Sequence, residues 1–156
     1  MNDLLIQRLS ERENDPQRVT DDLTGHTPNA PATPETLASV EAALNIQLPE
    51  TFRRAYLEVG DGNRGPGYGL LPLTADSCLS SASNVLGHSQ AWSERRLVYV
   101  AYWGCTVFSV LDTAQNCMGI LDVGDDGAEV MWQGSTAQWL QTWADGSNLF
   151  FPLEEE

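Results

Sequence analysis

Lysine is absent from this chain, and all eight of its basic residues are arginine. A phosphate-cradling P-loop needs its lysine and a Schiff-base enzyme needs a lysine amine, so both are excluded. Histidine is nearly as scarce, with only His26 and His88. The three cysteines, Cys78, Cys105 and Cys117, are an odd number without a CxxC pair. They read as reduced thiols, at least two of them on strands and buried. Neither the cysteines nor the histidines show the close pairing of structural zinc ligands, and there is no GxSxG nucleophile elbow. No apolar run approaches the roughly 20 residues that a membrane helix needs. The opening MNDLLIQRLSEREND alternates apolar and charged residues where a signal peptide would carry an unbroken apolar core. The expectation is a cytoplasmic protein with no metal, no cofactor and no catalytic set.

What is abundant is acid. There are 22 Asp and Glu against 8 basic residues, a net charge of −14. Such a chain repels nucleic acid phosphates, which argues against direct DNA or RNA binding. Its field speeds encounter with a basic partner, although acidity also serves solubility alone. At 156 residues, 42% hydrophobic and 19% charged, the chain suits one domain with a single core.

Residues 2–13 pattern as a short amphipathic helix around Leu4, Leu5, Arg8 and Leu9. The stretch NDPQRVTDDLTGHTPNAPA (14–32) has no periodicity and reads as a linker or arm. Thr33 then caps a helix with Pro34 in its first turn, and Leu37, Val40 and Leu44 share one face. Pro49 opens a second helix with Phe52, Ala55, Tyr56 and Val59 inward, and Gly60 is expected to end it in the left-handed region. A strand follows at Tyr68–Leu73, and the irregular 75–93 carries one helix near Ser77–Leu86. From Arg96 the signal is β: Leu97–Trp103, Thr106–Asp112, Met118–Val123 and Ala128–Gln133. Connections this short require antiparallel pairing. Ser135 and Gln138 form a capping box for a last helix with Trp139, Leu140 and Trp143 toward the sheet. The order predicts one α+β domain, an antiparallel sheet of four to six strands with helices packed on it, behind a mobile N-terminal arm.

Two motifs fail their own context. Gly60-Asp61-Gly62-Asn63-Arg64-Gly65 spells GxGxxG, but it follows a helix and precedes a strand, the reverse of a dinucleotide site. Asp122-Val123-Gly124-Asp125-Asp126-Gly127 suggests calcium, yet the third position is Gly124 and the twelfth is Gln133. Asp126-Gly127 is a hairpin-turn signal instead. Of the five tryptophans, Trp103, Trp139 and Trp143 are expected in the core, and Trp132 sits on the last strand with its facing open. Trp92, among small polar residues, reads either as partly buried or as a surface anchor.

One block carries a family resemblance. The helix ETLASVEAAL, the link Asn45-Ile46-Gln47, Leu48-Pro49, the helix ETFRRAYLEVG and a Gly/Asn loop resemble the SUKH superfamily. That superfamily includes bacterial immunity proteins and yeast cell-wall synthesis regulators. Trp103-Gly104 is similar to its tryptophan-glycine signature, and STAQWLQTWADG resembles its last helix. The loop departs, with Asp61-Gly62-Asn63-Arg64-Gly65 where the family usually has Asn-Gly-Gly. The likeness spans 33–150, leaving 1–32 as helix and arm and 151–156 as an acidic tail. It implies a non-enzymatic immunity protein that neutralises a cognate toxin, a cationic one such as a nuclease. The alternative it implies is a regulatory adaptor or scaffold for a cellular enzyme or assembly factor. In either case the expected partner surface combines exposed acidic turns with aromatics. Asp61, Asp122, Asp125, Asp126 and Glu129 are its candidate carboxylates, with Tyr68 and Trp92 as anchors.

Overall fold

Thr33 and Pro34 begin a helix as their chemistry dictates. In the computed structural model, which describes residues 2–13, 29–62, 69–74, 84–91, 96–125 and 127–145, α2 runs Pro34–Leu44. Its N-terminus is closed by Thr33 Oγ1, which accepts from the Thr36 N–H at 3.2 Å. At its far end Asn45 is left-handed at φ 53, and Asn45 and Ile46 donate to the Ala42 and Glu41 carbonyls. These two bonds satisfy carbonyls the helix leaves open. The Glu41 carboxylate then accepts from the Leu48 N–H at 2.8 Å, fixing the link into the next helix.

That helix, α3 (Glu50–Arg54), widens into a π-turn over Ala55–Val59. Phe52, Ala55 and Tyr56 are buried, and Val59 is partly so. The turn closes through the Gly60 N–H donating to Ala55 O at 3.1 Å. Gly60 itself is extended, at φ 165. The left-handed glycine is Gly62, two residues later, at φ 78. The sequence reading therefore put the glycine requirement two positions early.

Among the described residues five strands form a simple antiparallel meander in the order β1 to β5. They are β1 (Gly69–Leu70), β2 (Val98–Gly104), β3 (Val107–Asp112), β4 (Cys117–Asp122) and β5 (Met131–Ser135). Together with the helices they make one α+β domain. β1 is shorter than the expected Tyr68–Leu73, and β5 starts three residues later than Ala128 because the chain is still leaving the acidic turn over Ala128–Val130. Cross-strand partners share a face. One face carries Tyr99, Tyr102, Phe108, Val110, Leu121 and Trp132; the other carries Val98, Ala101, Ser109, Leu111, Met118 and Met131.

Among the described residues of the irregular segment, α4 runs Val85–Ala91, and Asn84 caps it by accepting from the Gly87 N–H at 2.7 Å; most of the expected Ser77–Leu86 helix falls on residues not described. Residues 75–83 lie outside the described residues. α5 (Thr136–Asp145) begins at the anticipated box: Ser135 Oγ accepts from the Gln138 N–H at 3.1 Å, and Gln138 Oε1 accepts from the Ser135 N–H at 2.9 Å. Ser135→Ala removes one of these bonds and should cost about 1 kcal/mol in urea unfolding. No loss at all would mean the box is ornamental.

The core gathers Phe52, Leu37 and Val40 with Trp139, Leu140 and Trp143 of α5 and the sheet's inward residues. It also includes Leu5, Ile6 and Leu9 of α1 (Asn2–Glu13). α1 lies against α5 and the π-turn. It is thus part of the packed domain and not of an arm outside it. Ion pairs fasten its rim, Arg8 with Asp145, and Arg54 with both Asp3 and Glu58 at 2.5 Å. Exposed pairs of this kind add little energy, so the apolar face of α1 is what seats it.

Candidate functional site

A β-meander brings alternate connections to the same end, so the β2–β3 and β4–β5 turns meet. Val107 is opposite Asp122, and the Val123 N–H donates to Thr106 O at 2.9 Å. The Thr106 hydroxyl donates to Asp122 Oδ1, which also accepts from the Gly124 N–H at 2.9 Å. These two bonds, the hydroxyl first, hold the Asp122 carboxyl below the usual carboxylate range. Gly124 is required here by proximity, since a Cβ at that position would lie 2.6 Å from Thr106 Oγ1. Asp125 repeats the device one turn on: its Oδ1 accepts from the Gly127 N–H at 3.1 Å. Both carboxylates build the loop while their side chains stay exposed, and Glu129 is exposed beyond them. The turn chemistry and the charge therefore come from the same residues.

Asp61 does not join this group. It is 4% exposed, and Oδ1 accepts from the Leu73 N–H at 2.8 Å. Its own N–H donates to Ala30 O, and its carbonyl accepts from Asn29 Nδ2 at 2.9 Å. Asp61 is a clamp between three chain segments, so an acidic residue in a glycine loop faces inward here. Tyr68, Trp92 and Asp126 lie outside the described residues. The cysteines also depart from expectation. Cys105 is exposed in the β2–β3 turn at φ 52, and Cys117 is only half-buried on β4. Cys78 lies outside the described residues.

The aromatic that accompanies the acidic turn is Trp132. It is 48% exposed, and its neighbour Met131 is 41% exposed. Both are on β5, and among the described residues no strand pairs with the outer side of β5. Trp132 is opposite Gly119, where an added Cβ would lie 2.4 Å from Val130 Cγ1 and 3.1 Å from Trp132 Cε3. The missing side chain is what lets the indole lie against β4. The sequence held a signal for this: two adjacent large apolar residues on one strand cannot both face the same side. Trp103, by contrast, is half-buried and donates its indole N–H to the buried Ser109 hydroxyl at 2.8 Å.

His88, partly buried against Phe108 at a ring distance of 5.0 Å, has its pKa lowered by desolvation. Among the described residues no three His, Cys, Asp or Glu side chains gather as a metal site, and no helix is long and apolar enough to cross a membrane. The site is a surface, with charge on a hydrogen-bonded turn and apolar bulk beside it.

No curated protein matches the chain. A family model does, over residues 31–150, which takes in every element from α2 to α5. The two-helix entry, the tryptophan-glycine step on β2 and the closing aromatic helix all lie within that match, and the chain belongs to the SMI1/KNR4 family (SUKH-1).

Proposed function

We propose that this protein is a non-catalytic immunity protein that binds and neutralises a cognate toxin with a basic surface. Membership of the SMI1/KNR4 family carries the reading, because that family supports an immunity or regulatory role. The acidic end of the meander supplies the mechanism. Carboxylates held on a hydrogen-bonded turn can occupy a cleft built for phosphate, and their field raises the encounter rate with a cation. Asp122, Asp125 and Glu129 are the described residues assigned this work, with Asp126 beside them in sequence.

Co-expression with the toxin encoded by the neighbouring gene tests the reading. Growth should be rescued and the two proteins should co-purify. Absence of both rejects the immunity role and leaves a regulatory adaptor, which an isolated gene with no adjoining toxin would also favour. A second measurement addresses the mechanism. Asp125→Lys with Glu129→Lys should slow association about tenfold at low ionic strength and flatten its salt dependence, because exposed charges act on the on-rate. Asp122 is left intact in that variant because its carboxylate also holds the turn. An unchanged on-rate would move the contact surface elsewhere.

A further inference from the structure

Three large apolar side chains are exposed among the described residues, Leu4, Met131 and Trp132. Two of them are consecutive on the sheet's edge strand. Met131 pairs with Ile120 and Trp132 with Gly119, so the two project from opposite faces of β5. A partner that covers only one face of the sheet would leave one of them wet. A segment lying along the edge meets both, because the alternating side chains of an extended chain reach the two faces in turn.

Charge selects the occupant. From Leu97 to Glu156 the chain has nine Asp and Glu and no Lys, Arg or His. Asp122, Asp125 and Glu129 approach the edge at its start, and all are exposed. A second copy of this chain would bring the same charges against themselves, and nucleic acid would be repelled for the same reason.

We infer that the β5 edge is the partner-binding surface, and that its occupant is an extended, Arg- or Lys-rich segment of a partner protein. This segment packs apolar side chains on Met131 and Trp132 and places its cations toward the acidic turn. The inference rests on the proposed binding role and adds where and by what chemistry binding happens. Trp132 is the anchor. It lies on a glycine, adds large apolar area at small entropic cost, and is of the residue type most enriched among interface hot spots.

The test titrates the isotope-labelled protein with a short peptide alternating Arg and Val, and separately with one alternating Glu and Val. It runs beside the rescue assay. The Arg peptide should shift the amides of residues 129–135 and the Trp132 indole, and the Glu peptide should shift neither. Trp132→Ala should weaken the Arg peptide about tenfold or more and, against the toxin, speed dissociation about thirtyfold. Shifts centred on α2 or α3, or none, overturn the inference. So does a concentration-dependent shift of the same amides in the free protein, which would put a second copy on the edge. Rescue with shifts elsewhere rejects the edge and keeps the immunity role. Failed rescue with shifts on β5 does the reverse.

Discussion

Trp139→Ala is expected to cost about 3–5 kcal/mol of folding free energy, the range for emptying a large aromatic site. Trp139 is fully buried and ties α5 to α3. Its ring stacks on Phe52 of α3 with centroids 5.8 Å apart, and meets Trp143 edge-on at 6.1 Å. Alanine would leave a void lined by both rings, which belong to different helices and cannot collapse inward without moving their backbones. A domain of this size has about 5–15 kcal/mol in total, so the loss is a large part of it. Trp139→Phe separates volume from polarity. Among the described residues the indole N–H has no hydrogen-bond partner, so removing it relieves a desolvated donor while most ring contacts persist. The phenylalanine variant should therefore lose less than about half as much. Urea midpoints at unchanged m-value measure both. An alanine loss below about 1 kcal/mol would contradict this account of the core.

Gly62→Ala should destabilise by about 2–4 kcal/mol, for two reasons that add. At φ 78 the backbone is in the left-handed region, which costs an L side chain about 1 kcal/mol or more. The new Cβ would also sit 2.4 Å from Pro72 N and 2.7 Å from Leu71 C. Those are backbone atoms with no rotamer to give way, and overpacking of this kind costs about 1–3 kcal/mol. Nor can the segment shift easily, since the Leu71 N–H donates to Val100 O at 2.8 Å and the Leu73 N–H to Asp61 at 2.8 Å. Gly127 is the control. Among the described atoms an added Cβ there meets Asp125 Oδ1 at 3.9 Å, an ordinary contact distance, so Gly127→Ala should cost clearly less than Gly62→Ala. Equal effects at the two glycines would refute the steric argument.

What could be read from the sequence was whatever is local. Thr33 with Pro34, and Ser135 with Gln138, declare helix starts because a cap is settled within four residues. The meander was legible because strand length and turn spacing leave antiparallel pairing as the sole option. Asp61 was misread because its partners are far off in sequence: Ala30 and Asn29 on one side, Leu73 on the other. Loop chemistry alone makes an aspartate between glycines look exposed. Trp132 was left open because edge position depends on the order of the whole sheet, which no window of residues contains. Charge along the β half was plain in the letters, but not which carboxylates also build the turn.

α1 has a practical consequence for how this protein is handled. The family match begins at residue 31, yet Leu5, Ile6 and Leu9 belong to the buried cluster. An expression fragment trimmed to the matched boundaries would uncover the flank of α5 and the π-turn that α1 shields, and would give an acidic domain a sticky side. Binding measured on such a fragment would report that artificial face as well as the native one. The unit to clone, crystallise or fuse therefore includes α1, well ahead of where family similarity would draw the line.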